Sequence, residues 1–167
     1  SHAVSGQIVV PASGASGTII AQGGRFGGWT VYLTSDGRPA YCYNLFGLQL
    51  FKVAGEDPVA PGEHQVRVEF DYDGGGVGKG GTATLYLDGD EVASGRVDNT
   101  VPGVFSADET TDVGTDTATG VTDDLAMSEV EFTGRVRWVQ IDLADAAEDE
   151  DHVLTPEERY RIAMARQ

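Results

Sequence analysis

Between Glu63 and Val97 the chain alternates. Val66, Val68, Phe70 and Tyr72 are interleaved with Gln65, Arg67, Glu69 and Asp71, a period of two that places the apolar side chains on one face of a half-buried strand. The run DGGGVGKGG that follows holds too many glycines for the core of a strand or a helix. Ala83, Leu85 and Leu87 then alternate with Thr82, Thr84 and Tyr86, and Asp88-Gly89 precedes a strand carrying Val92 and Val97. An Asp-Gly pair suits a two-residue hairpin turn, because its residues tolerate positive φ. The pattern predicts strand, loop, strand, turn, strand, with Val66, Val68, Phe70, Leu85 and Leu87 in the core.

The rest of the chain repeats this grammar. QIVVP and GTIIAQ predict short strands, and GGRFGG is a glycine-framed turn. Trp29, Val31 and Leu33 alternate with Thr30 and Tyr32, and Asp36-Gly37 closes a hairpin into PAYCYNLFG. There Tyr41, Tyr43 and Leu45 share one face, and Ala40, Cys42, Asn44 and Phe46 the other. Leu48 to Val53 reads as a strand. After VPGVF a long polar segment runs from Ser106 to Glu131. In the last strand, Phe132 to Leu143, the residues Val139, Ile141 and Leu143 occupy one face and Val136 and Trp138 the other, which predicts cover on both sides. Short strands at regular spacing with turn chemistry between them predict an all-β fold, an antiparallel two-sheet β-sandwich or jelly roll. The tail differs. Thr155-Pro156-Glu157-Glu158 is a capping box with proline at the first helical position, and it predicts one short C-terminal helix.

Composition narrows the function. A length of 167 residues fits one domain with a sizeable core. The formal net charge of −16 argues against nucleic acid, whose phosphates need a basic footprint, and against anionic membranes. No apolar run reaches membrane-spanning length. The single cysteine, Cys42, allows no intrachain disulfide and reads as a buried small residue. Ser1-His2 reads as an expression remnant, which sets the expected domain at residues 3–167.

Candidate chemistry is sparse. The segment from Ser106 to Asp124 carries Asp108, Glu109, Asp112, Asp116, Asp123 and Asp124. Hard cations such as calcium take about six to eight oxygens. Asp108, Asp112 and Asp116 are the first choices for such a site, although their spacing is not that of an EF-hand; the alternative is a solvated loop whose Asp and Thr side chains cap turns. A second acidic run, Asp142, Asp145, Glu148, Asp149, Glu150 and Asp151 beside His152, reads as a solvated link. Glu69 and Asp71 share a polar strand face, the minimum for a glycosidase pair. Trp29, Tyr32, Tyr41, Tyr43, Phe46 and Tyr86 could stack on sugars, though most suit a core better. GGGVGKGG lacks the order of a phosphate loop and no helix follows it. His2, His64 and His152 are scattered and make no metal centre by themselves.

Three segments carry a resemblance: IIAQGGRFGGWTVYLTSDGRPAYCYNLFG, HQVRVEFDYDGGGVGKGGTATLYLDGDEVASGRV and FSADETTDVGTDTATGV, together with the ending LTPEERYRIAMARQ. They resemble, in order, the C-terminal region of the long bacterial arylsulfatases. The resemblance implies a concanavalin A-like, laminin G-type sandwich, in agreement with the strand pattern. It also implies a parent enzyme that hydrolyses sulfate esters, with a catalytic domain elsewhere in the same chain as the partner of this one. Laminin G-type relatives sometimes hold calcium. The family's nucleophile arises from the Cys or Ser of a C/S-x-P-S-R motif, and none occurs here; Cys42 sits in AYCYNLF. No catalytic residue carries over, so the expectation is a non-catalytic accessory domain. The alternatives are an autonomous carbohydrate-binding module and, more distantly, an independent glycosidase.

Overall fold

The computed structural model describes residues 1–103, 105 and 110–143. They form ten strands: β1 (His2–Val10), β2 (Gly17–Gly24), β3 (Gly27–Leu33), β4 (Pro39–Leu45), β5 (Gln49–Ala54), β6 (Gly62–Tyr72), β7 (Gly81–Leu87), β8 (Asp90–Val97), β9 (Thr111–Val113) and β10 (Arg135–Leu143). Sheet I has the order β10-β1-β6-β7-β8 and sheet II the order β5-β4-β3-β2-β9. Neighbouring strands run antiparallel throughout. The expected two-sheet sandwich is therefore the fold. The expected helix from Thr155 lies outside the described residues.

The alternation of the central stretch sets the core. Val66, Val68, Phe70 and Leu85 are buried between the sheets, while Leu87, at the strand end, is only partly buried. Sheet II supplies Ile20, Trp29, Val31, Leu33, Tyr41 and Tyr43 to the same cluster. Asp88 and Gly89 both take positive φ, 54° and 92°, as a hairpin turn matched to strand twist requires.

Two elements depart from the sequence reading. The polar segment after Val104 contains β9, which pairs Ile20, Ala21 and Gln22 with Val113, Asp112 and Thr111; its Thr and Asp residues mask a strand held by backbone bonds. The first strand begins at His2, which pairs opposite both Phe70 and Leu143. Finally, β10 is an edge strand rather than one covered on both sides. Val136 and Val139 touch the core, but Trp138, Ile141 and Leu143 are exposed. Apolar residues on both faces there reflect a strand at the sandwich margin, where neither side is fully covered.

The two outer faces differ. The outer side of sheet II is roofed by residues 114–134, where Leu125 and Val130 pack on Tyr32, Ala40 and Cys42. Thr18 N–H donates to Val130 O at 2.9 Å, and Asn44 Nδ2 donates to Val121 O at 2.8 Å. The outer side of sheet I carries Ser5, Gln65, Arg67, Glu69, Thr84 and Tyr86 in register.

Candidate functional site

One end of the sandwich concentrates the features that the core does not explain. The β2–β3 turn presents Phe26 there, and the β4–β5 turn presents Phe46 and Leu48. Phe26, Phe46, Leu48 and Met127 are 64%, 46%, 87% and 52% exposed. The turns are built rather than loose. Asn44, buried beneath them, accepts from Gly47 N–H at 2.7 Å, and Arg25 N–H donates to Thr119 Oγ1 at 3.0 Å. A side chain at Gly47 would lie 2.9 Å from the Arg25 carbonyl oxygen, so the two turns are closely apposed. Phe46 holds φ at 56°, a conformation that a bulky L-residue rarely takes and that persists only where the surroundings enforce it. A hollow of about 470 Å3 opens beside them, lined by Arg25, Asn44, Leu50, Val121 and Met127 among others.

At the same end a cleft of about 330 Å3 lies between the sheets, lined by His2, Gln22, Trp29, Tyr43, Phe70 and Tyr72 among others. The His2 ring lies 5.8 Å from Trp29 and 5.5 Å from Phe70, and Tyr43 stacks on Phe70 at 6.4 Å and 13°. Trp29 Nε1–H donates to Gln22 Oε1 at 2.9 Å, and Val101 N–H donates to the Tyr43 hydroxyl at 2.8 Å. Burial first, then the positive amino terminus, lowers the His2 pKa to about 4, so its ring is neutral at pH 7. Burial pushes the Tyr43 hydroxyl up to about 12. His2 Nε2 is buried and meets no hydrogen-bonding partner among the described residues.

The sequence-derived candidates distribute as follows. Asp108 lies outside the described residues. Asp112 is in β9, and its carboxylate accepts from Thr110 Oγ1, Thr117 N–H and Thr117 Oγ1. These bonds, the Thr117 hydroxyl foremost, hold it below the usual carboxylate range. Asp116 is buried and accepts from Val121 N–H at 2.8 Å. Both thus serve turns of the roof, and among the described residues no three His, Cys, Asp or Glu side chains converge in a metal-binding group. Of the second acidic run only Asp142 is described; it accepts from Gln140 at 2.7 Å.

Glu69 accepts from Arg67 Nε at 2.9 Å and from the Tyr86 hydroxyl at 3.4 Å, an ion-paired carboxylate on an open sheet face. Cys42 is fully buried, and burial pushes its thiol up to about 12, which removes it as a nucleophile. His64 Nδ1 lies 2.6 Å from Asp88 at the opposite end of β6 from Phe70. Of the aromatics considered for sugars, Trp29 and Tyr43 reach the cleft, Phe46 the exposed end, and Tyr86 the face of sheet I. Tyr41 is core, and Tyr32 lies under the roof. Sequence reading missed His2, Phe70 and Tyr72 as cleft residues; no local signal marks them, because the cleft exists only where β1, β3, β4 and β6 converge.

No known family profile and no curated protein matches the chain. Solved structures do match in fold. Domains LG4-5 of the mouse laminin alpha1 chain superpose with a TM-score of 0.57 at 20% identity, over 84% of this chain and 35% of that one. The chain thus spans about a third of that laminin structure. The heptameric SAP-like pentraxin of Limulus polyphemus gives 0.52 at 15% identity, over 86% and 65%. The CBM40 of the Ruminococcus gnavus IT-sialidase gives 0.55 at 13%, over 87% and 79%. The likeness is one of fold: a laminin G-like, concanavalin A-type jelly roll.

Proposed function

We propose that this chain is a non-catalytic accessory domain of a longer arylsulfatase and that it packs against the catalytic domain through the end bearing Phe26, Phe46, Leu48 and Met127. The observation that carries the reading is that patch. Four large apolar side chains are exposed on turns at this end, one at a strained positive φ, two of the turns closely apposed, and exposed apolar surface of this kind marks interaction sites. The sulfatase identity of the partner rests on the segment resemblance, which includes both patch-bearing motifs, GGRFGGW and YCYNLFG. The domain on its own is expected to turn over no aryl sulfate.

The test is association. The region encoded upstream, expressed separately, is mixed with this chain and the complex weighed by analytical ultracentrifugation. Binding that Phe26→Glu with Leu48→Glu abolishes supports the reading. An upstream frame without a C/S-x-P-S-R motif, or binding indifferent to both substitutions, overturns it.

A second reading, carbohydrate recognition, is favoured by the aromatic lining of the cleft. The fold likeness to a sialidase CBM40 supports it by analogy alone.

A further inference from the structure

We propose that the partner covering the end that bears Phe26, Phe46, Leu48 and Met127 presents a carboxylate to Arg25, so that the surface recognised there is an acidic side chain set among apolar ones. The inference rests on the docking reading and supplies the chemistry of its partner.

Arg25 and Phe26 form the turn between β2 and β3. The main chain of Arg25 is fixed, because its N–H donates to Thr119 Oγ1 at 3.0 Å and its carbonyl lies against Gly47. Its guanidinium is exposed and makes no hydrogen bond or ion pair with a described residue. Carboxylates are not scarce in this chain, with 27 acidic side chains against 11 basic ones. Arg38, Lys52, Arg67, Arg96 and Arg137 each hold one. Lys79 and Arg135 also go without a described partner, the first on the glycine loop and the second at the start of β10. Arg25 differs from both in adjoining exposed Phe26 and in lining the hollow together with Met127.

The consequence follows from burial. A partner seated on Phe26, Phe46 and Leu48 takes Arg25 out of water with them. A guanidinium removed from water without a counter-charge is strongly unfavourable. The hollow does not supply that charge: Asp123 lines it, but Lys52 holds its carboxylate. Asn44 is likewise committed, to Val121 O and Gly47 N–H. The partner must bring the acceptor, and a carboxylate matches the planar fork of guanidinium donors with two parallel bonds. Leu50, Val121, Leu125 and Met127 give the hollow its apolar lining, and about 470 Å3 leaves room for an apolar side chain beside the acid. The net charge of −16 repels a broadly acidic surface at long range, so one carboxylate among apolar neighbours fits better than an acidic patch.

The test uses the full-length parent with a protease site placed ahead of this domain and cut after folding, so that both halves have folded together. Their association is followed by analytical ultracentrifugation on dilution. Arg25→Gln should weaken it by roughly tenfold to hundredfold. The melting temperature of the 167-residue chain should stay unchanged, because the guanidinium holds nothing within the domain. Arg25→Lys should weaken association less and places an amine at the contact. A carbodiimide should then join that amine to one Asp or Glu of the other half as an amide, with loss of water, and peptide mass mapping identifies the acid. Replacing that acid by its amide should add little to the loss already caused by Arg25→Gln. Association that Phe26→Glu with Leu48→Glu abolishes, but that Arg25→Gln leaves within about twofold, overturns the carboxylate and leaves the docking reading standing. Halves that part freely once cut overturn both. Displacement of the contact by an aryl sulfate or a sulfated sugar, lost in Arg25→Gln, assigns the guanidinium to a ligand anion and overturns the inference.

Discussion

The two outer faces of the sandwich start from the same backbone and end in different environments. On sheet II, β3 is buried at every position and β4 at all but the last, because residues 114–134 cover the side that does not face the core. On sheet I, β6 alternates between buried and partly exposed positions from Gln65 to Phe70, because nothing described covers its far side. The roof is itself polar. It holds on through buried apolar side chains, Leu125 and Val130 on the sheet face among them, and through a charged latch: the Tyr32 hydroxyl donates to Asp124, and Lys52 Nζ donates to Asp123 and Asp124. A thin polar segment can thus bury an entire sheet face if its few apolar residues land on the strands and its carboxylates find partners at the rim.

The largest expected effect follows directly. Tyr32→Ala empties a fully buried site beneath the roof and should lower stability by about 3–5 kcal/mol. Tyr86→Ala, on the open face, should leave the denaturant midpoint nearly unmoved. Equal losses in urea unfolding would mean that the two faces are not differently packed.

A smaller change should go the other way. Tyr41 faces the core from sheet II, is fully buried, and its hydroxyl has no hydrogen-bonding partner among the described residues. Burial drives its pKa well above that of an ordinary tyrosine, so the group stays neutral at any relevant pH. Removing an unpaired buried hydroxyl while keeping the ring relieves a desolvation cost. Tyr41→Phe should therefore stabilise the chain by about 1 kcal/mol, a rise in melting temperature of about 2–4 °C for a domain of this size. A fall would show that the hydroxyl is bonded after all.

Much of this contrast is legible in the sequence, and the part that is not has a physical cause. The alternation of β6 and β7 predicted their core residues, because one face meets water and the pattern must declare it. The two-face division of β4, Tyr41 and Tyr43 against Ala40, Cys42 and Asn44, was equally readable. What covers the second face was not, since a roof anchored by Asp123, Asp124 and backbone bonds looks like any solvated acidic loop. Asp112 and Asp116 carry two readings for the same reason: a carboxylate that caps a turn and one that ligates an ion are spelled alike. In β10 the apolar pattern overstated burial, because an edge strand can carry Trp138 and Leu143 without a partner layer. The exposed end was hidden more deeply, as Phe26, Phe46 and Leu48 belong to different hairpins and meet only in three dimensions.

The latch offers a sharper comparison through pH. Lys52, hydrogen-bonded to Asp123, holds that carboxyl below its ordinary value. A depressed folded pKa contributes stability that is fully present above the unfolded value of about 3.9 and lost as pH falls through the folded one. Lys52→Met should therefore cost about 0.5–1 kcal/mol at pH 7, in keeping with a partly exposed pair. The gap between variant and parent should close in acid below the ordinary carboxylate pKa. A gap that persists at pH 2 would assign the effect to packing of the lysine stem instead.

The smallest effect is expected on the open face, and it decides whether that face is organised or merely solvated. Arg67 is its centre: Nε donates to Glu69 at 2.9 Å, one terminal nitrogen donates to Ser5 Oγ at 2.9 Å, and Asp142 lies 3.7 Å away. Its side chain keeps about a third of its exposure, and that of Glu69 somewhat more, so water competes for every contact and salt screens the pair. A double-mutant cycle with Arg67→Gln and Glu69→Gln should return a coupling below about 0.5 kcal/mol, shrinking further in 0.5 M salt, as expected of about a Debye length's screening. A coupling above about 1.5 kcal/mol that ignores salt would show a rigid, shielded polar lattice. The open face would then be a prepared surface in its own right, and the contrast with the roofed face would be one between two organised layers rather than between a covered layer and a wet one.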